Sequence, residues 1–148
     1  MPLDQSFLGR TYPPTPPYEV GREKIREFAT AIGSTDEAYH DVDAARALGH
    51  PDLVAPPTFP MVFTWAAGNV LIYDPELGLD FSRVVHGEQR YSYTRPVYAG
   101  DRLVCVVMVE DIMSRAGNDF LTTRTEVKTD AGELVFTAWS RLVARGVE

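Results

Sequence analysis

"MVFTWAAGNVLI", residues 61–72, is the stretch whose reading decides the fold, because nine of its twelve residues are apolar and they lie on almost every side of a helix. Pro60 stands at the first turn, where a missing N–H is harmless. A helix apolar all round has to be surrounded rather than leaned against. The pattern therefore predicts a central helix over about 60–72 and asks what element could wrap it.

The C-terminal half supplies that element. From Val84 to Tyr93 the faces alternate, with His86, Glu88, Arg90 and Ser92 on one side and Val85, Gly87, Gln89, Tyr91 and Tyr93 on the other. "RLVCVVMVEDIM" (102–113) reads as a continuous apolar strand at a sheet centre. Leu121, Thr123, Thr125 and Val127 alternate with Arg124, Glu126 and Lys128, and Leu134, Phe136 and Ala138 with Val135, Thr137 and Trp139. "RAGND" (115–119) and "TDAG" (129–132) carry the Gly and Asp that tight antiparallel links require. The expected fold class is α+β, a curved antiparallel sheet wrapped around the central helix. No internal repeat or second core is visible, so residues 1–148 read as one domain.

Upstream, "YPPTPPY" (12–18) places four prolines in seven residues and marks residues 1–17 as an extended arm, laid along the body or across a partner subunit. Ile25, Phe28, Ala29 and Ile32 recur at i, i+3, i+4 and i+7, and Gly33 can end that amphipathic helix in the left-handed conformation. "STDEAYHD" (34–41) follows as a loop. "DVDAARALG" (41–49) then opens on carboxylates and closes on Gly49, as a short helix does.

Fourteen Lys plus Arg against twenty-one Asp plus Glu give a net charge of −7, with the basic residues scattered. Nucleic acid and anionic membranes repel such a surface and are not expected partners. Cys105 is the single cysteine and lies in an apolar run, so it reads as a small buried hydrophobe in a reducing compartment. The N-terminal residues lack a basic and apolar leader, and no stretch approaches the roughly 18–20 apolar residues of a membrane span. The expected location is the cytoplasm.

Four blocks together resemble one family: "EVGREKIREFATAIG", "YHDVDAARALGHPDLVAPPTF", "HGEQRYSYTRPVYAGDRL" and "GELVFTAWSRLVA". The chain resembles the MaoC-like, (R)-specific hydratase and dehydratase branch of the hot-dog fold, and in particular the N-terminal-type half of actinobacterial fatty-acid dehydratases, some of which are heterodimers. The resemblance implies a single hot-dog domain and reversible addition of water to a trans-2-enoyl thioester on coenzyme A or acyl carrier protein. Family members hold and activate the water with the Asp and His of a D-x-N-P-x-H loop, while a backbone N–H at the start of the central helix polarises the thioester carbonyl.

Carried over without a gap, that motif places the family Asp on Ser34, the Asn on Asp36, the Pro on Glu37 and the His on Tyr39. A phenol near pH 7 is neutral and supplies no near-neutral imidazole, and a serine hydroxyl supplies no carboxylate. The family's A-H-G at the helix start falls on Ala55, Pro56 and Pro57. Proline has no N–H to give, and one missing oxyanion donor lowers kcat about 10²- to 10³-fold. Thr58 is the next residue able to donate.

Three readings follow. In the first, this chain has lost its own pair and supplies acyl-chain binding and dimer stability to a catalytic MaoC-like partner. In the second, it is a self-sufficient homodimer in which His40 acts as acid and base and Asp36 orients the water, four residues apart in place of five. In the third, a homodimer binds an acyl thioester or another small hydrophobe without turnover. Without a catalytic role, Asp36 caps a turn, His40 is exposed and Asp41 starts the second helix. The substrate-binding candidates are Tyr39, Pro57, Thr58, Phe59, Met61, Trp65, Tyr91 and Tyr93, with Phe63 beside them. His86 reads as part of a surface network with Glu88 and Arg90, and His50 as a turn residue before Pro51. Gly68 lies within the helix, where it would admit close packing of the strand wall. Neither a metal nor a cofactor is expected from three dispersed histidines and one cysteine.

Overall fold

In the computed structural model, which describes residues 2–146, the apolar run becomes two helical segments. These are α3 (Met61–Ala67) and α4 (Asn69–Ile72), with Gly68 closing the first and capping the second. The single helix expected over 60–72 is thus interrupted, at the residue with the weakest helix propensity in the run. A Cβ placed on Gly68 would meet only Trp65 O at 3.5 Å and Ile72 Cδ1 at 3.8 Å. Gly68 therefore does not serve the strand wall's approach, which corrects that expectation: the space facing it is a small cavity.

Ahead of these lie α1 (Arg22–Ala31) and α2 (Val42–Ala47). Ile25 and Ala29 bury the inner face of α1. Ile32 does not join them: it lies past the last turn and is 52% exposed, because Gly33 at φ 75° turns the chain away. Asp41 caps α2 by accepting from the Asp43 N–H at 2.8 Å.

The strands are β1 (Tyr18–Glu19), β2 (Val84–Tyr93), β3 (Arg102–Arg115), β4 (Asn118–Thr129) and β5 (Leu134–Ala144). They form one antiparallel sheet in the order β1-β3-β4-β5-β2. The centre is β4 and not, as its apolar run suggested, β3. One face of β3 is buried and the other only half-covered, and its outer edge is closed by β1 and by the arm. Gly9, Tyr12 and Thr15 donate their N–H groups to the carbonyls of Val109, Val107 and Cys105. The arm thus lies along this chain's own β3 and also sends Leu3 and Phe7 into the core.

The sheet carries three register slips, one of them between Val109 and Asp111 of β3, and the other two reset the alternation expected of β2 and β5. At Gly87 the register slips between His86, opposite Leu142, and Glu88, opposite Arg141. One inserted residue turns His86 to the helix side of the sheet, with its ring 5.7 Å from that of Trp65 and its Nε2 3.3 Å from Ser140 Oγ. His86 is exposed and makes a cross-strand contact, as expected, but its partners are Trp65 and Ser140 in place of Glu88 and Arg90. A second slip after Val127 leaves both Val135 and Phe136 fully buried in place of alternating.

The interior divides into two apolar clusters. One gathers Ile25, Phe59, Phe63, Leu103 and Phe136, and the other Leu3, Phe7, Leu71, Leu121 and Leu142. The sheet covers one side of the central helix. Val70 and Tyr73 remain exposed, as do Phe81 and Val85, and β2 has a partner on one side only.

Candidate functional site

The loop that opens with Ser34 is held by local backbone bonds. Asp36 caps a 3₁₀ turn over Glu37–Tyr39, its carboxylate accepting from the Ala38 N–H at 3.0 Å. His40 ends that turn half-buried, with Nε2 2.9 Å from the Ser34 carbonyl oxygen. Its own carbonyl accepts from Arg26 Nε at 2.9 Å. Among the described residues no hydrogen bond joins the Asp36 and His40 side chains, and each is engaged with a separate backbone atom.

Tyr39 and His40 open onto different spaces. His40 borders a polar cleft of about 430 Å³ with Thr30, Ser34, Thr35, Glu37 and Asp41. Tyr39 borders a more apolar cleft of about 420 Å³ with Val54, Ala55, Pro57, Tyr93 and Arg95. Burial and the nearby Asp36 charge raise the Tyr39 phenol above its ordinary range, so it stays protonated at neutral pH.

The segment leading into the central helix is strapped to the loop after β2. Ala55 donates to the Val97 carbonyl at 2.8 Å and Ala99 to that of Leu53 at 3.0 Å. Pro56 and Pro57 have no N–H, and the Phe59 N–H turns back to Pro56 O. Thr58, exposed, carries the first amide proton beyond the prolines. The Tyr93 hydroxyl donates to the Pro57 carbonyl and closes the cleft from the strand side.

Of the candidate residues, the fold brings Tyr39, Pro57 and Tyr93 to one cleft. Met61 and Trp65 line a separate cavity of about 30 Å³ between helix and sheet. Tyr91 stands between the two on β2, half-buried, with its phenol pushed up to about 12 by burial. Phe59 is fully buried, edge-on to Phe28, and belongs to the core. His50 meets the Tyr98 hydroxyl at 3.2 Å through Nδ1, away from these residues.

Arg95 was not singled out in the sequence, yet it shapes the cleft. Its guanidinium grips Asp101 in two bonds of 2.9 and 3.0 Å and Glu133 at 2.8 Å, so it braces the 95–101 loop and has little left to offer a ligand. The signal was the Arg-to-Asp spacing inside "RPVYAGD". Gln89, Thr64 and Ser140 were also passed over, although polar residues at inward strand positions are the signal for them. Cys105 is buried, which pushes its thiol up to about 11. Among the described residues no group of three His, Cys, Asp or Glu side chains is placed to hold a metal ion, and no helix is long and apolar enough to cross a membrane.

The model of the FAS1-like dehydratase domain region matches residues 6–138. The chain belongs to that family. Among curated relatives of this chain, a UPF0336 protein of Streptomyces coelicolor is 62% identical over 148 residues, covering 100% of this chain and 99% of the relative. A solved MaoC-like dehydratase superposes with a TM-score of 0.90 at 31% identity, covering 97% of this chain, which spans 43% of that longer one. The HadBC (3R-hydroxyacyl-ACP dehydratase) complex of Mycobacterium tuberculosis, truncated at a C terminus, contains a chain with a TM-score of 0.83 and 32% identity, with 93% and 96% of the two chains covered. The curled antiparallel sheet around a helix is therefore the hot-dog fold of MaoC-like dehydratases.

Proposed function

We propose that this chain is a subunit of an (R)-specific 3-hydroxyacyl-thioester dehydratase or enoyl hydratase, supplying acyl-chain binding and dimer stability to a catalytic MaoC-like partner. The observation that carries the reading is the divergence of Tyr39 and His40 into two clefts. The position that corresponds to the family's histidine holds a phenol beside Pro57, and the only imidazole of the loop faces away, bonded to the Ser34 carbonyl. A base and an acid must converge on one water, and here they do not.

The same cleft suits a thioester's acyl end, with Val54, Ala55, Val97 and the Tyr93 ring as apolar walls. The partner reading rests on the uncovered surface. A ten-residue edge strand and the exposed Val70, Tyr73, Phe81 and Val85 leave backbone and apolar area that a second subunit would bury. The HadBC neighbour is itself a complex.

The test is turnover. Purified alone, the chain shows no hydration of crotonyl-CoA; mixed or co-expressed with a chain carrying an intact D-x-N-P-x-H loop, it forms a complex that does. Turnover by the chain alone, abolished by His40→Ala, would replace this reading with the self-sufficient homodimer. Protection by ligand without turnover, and no gain from any such partner, would replace it with the binding homodimer.

A further inference from the structure

A polar row crosses the inner face of the sheet between its two apolar clusters, with the buried Thr125 beside it. Gln89 on β2 stands opposite Ser140 on β5, which stands opposite Thr123 on β4. Above them on the helix sit Thr64 and Gly68, and together these residues line the 30 Å³ cavity. The row separates the two apolar clusters: along β5 it falls between Ala138 and Leu142, and along β4 between Val127 and Leu121.

The row is incompletely satisfied by the chain. Gln89 Oε1 is buried and receives no donor from any described residue, and the Tyr91 hydroxyl, two residues along the same face, is buried and unpartnered as well. Thr64 Oγ1 donates to Pro60 O at 2.9 Å, and its remaining lone pairs are the polar group nearest the Tyr91 hydroxyl. Buried polar atoms of this kind are normally matched by ordered water. A cavity of this size, lined by several polar groups, accommodates one.

β2 connects this row to the cleft. Tyr93 borders the cleft, and Gln89 lies four residues back on the same face, about 13 Å along the strand. A hydrocarbon tail running that way passes Tyr91 and then meets an amide and hydroxyls rather than methyl groups. We propose that the Gln89–Ser140–Thr123 row, with Thr64, holds one water molecule and ends the acyl path, so that this chain accommodates tails stopping before Gln89 and gives nothing to longer saturated ones. The proposal rests on the acyl-binding reading above and adds to it a length limit. From carbon–carbon bond lengths the limit falls at roughly ten methylenes beyond Tyr93.

The limit is measurable with non-hydrolysable S-alkyl coenzyme A thioethers bound to the purified full-length chain. A tail that keeps burying methylenes tightens binding about fourfold for each one. Affinity should rise from butyl through dodecyl and then level, with hexadecyl no tighter than dodecyl. In the Gln89→Leu/Ser140→Ala double variant the rise should continue through hexadecyl. A continuous rise in the wild type overturns the stop and leaves acyl binding standing. Failure of every thioether to bind either protein overturns the acyl-binding reading, and the stop with it. If the double variant does not fold, the wild-type series together with a high-resolution crystal structure decides: a water bonded to Gln89 Oε1 supports the stop, and a row without one overturns it.

Discussion

The Tyr93 hydroxyl donates to the carbonyl oxygen of Pro57, so the last residue of the edge strand ties down the loop that leads into the central helix. The Tyr93 ring also packs 5.3 Å from that of Phe136, a contact that a phenylalanine would keep. Tyr93→Phe therefore isolates the hydroxyl. We expect a loss of about 0.5–1.5 kcal/mol in urea unfolding, the usual net worth of one such bond. An unchanged midpoint would show that the cleft is closed by packing alone.

The proline-rich arm is anchored by Phe7, fully buried and capped by the Arg10 guanidinium 3.7 Å from its ring centre. Its neighbours in the core include Leu71 and Leu77, from the helix and the loop after it. Phe7→Ala should lower stability by about 3–5 kcal/mol, the range for removing a core phenylalanine. Chemical denaturation gives the value. A loss under about 1 kcal/mol would mean that the arm comes away from the body without disturbing the core.

The sequence already indicated which residues of β4 share a face and where the hairpins turn, because period-two alternation and the Gly-containing turns follow from local chemistry alone. It also indicated the break after α1, where Gly33 sits at positive φ. What it concealed were the one-residue slips. Nothing in "VVHGEQR" says that Gly87 will bulge, yet that slip moves His86, still exposed, from the side of Glu88 and Arg90 to that of Trp65. The candidate site was legible as a set of residues and not as directions. Tyr39 and His40 are adjacent in the chain, and only the geometry of a 3₁₀ turn sends them to separate clefts. Likewise β3, the most apolar strand, lies off-centre because the arm, which is extended and rich in proline, supplies its outer neighbour through carbonyls and scattered N–H groups.

The β3–β4 turn contains a local misfit. Ala116 adopts φ 53° directly before Gly117 at φ 78°, with Arg115 and Asn118 paired across the hairpin. A two-residue turn with both residues at positive φ favours Asn-Gly, and an L-residue with a Cβ in that region loses roughly 1–2 kcal/mol. Asparagine tolerates the conformation better than alanine. Ala116→Asn should stabilise the protein by about 0.5–1 kcal/mol, raising Tm by about 2–4 °C per kcal/mol in a chain of this size. A melting temperature at or below that of the wild type would show that the turn relaxes in solution.

Alkaline pH should unfold the protein from the helix–sheet seam outward. Burial raises the Tyr91 phenol from the ordinary 10.0 to about 12 and lifts Tyr93 and Tyr39 as well. Between those two values the folded state keeps the Tyr91 proton while the unfolded chain releases it, so the folded state binds more protons and stability falls as pH rises. Below pH 10 both states are protonated and this group has no effect. Full separation would contribute about 1.4 kcal/mol per pH unit, and Tyr91, being half-buried, contributes less. Tyr91→Phe removes that share, so the slope of unfolding free energy between pH 10 and 12 should become shallower, with tyrosinate absorbance tracking the remaining phenols. Equal slopes in the two proteins would mean that the Tyr91 hydroxyl reaches solvent in the folded state.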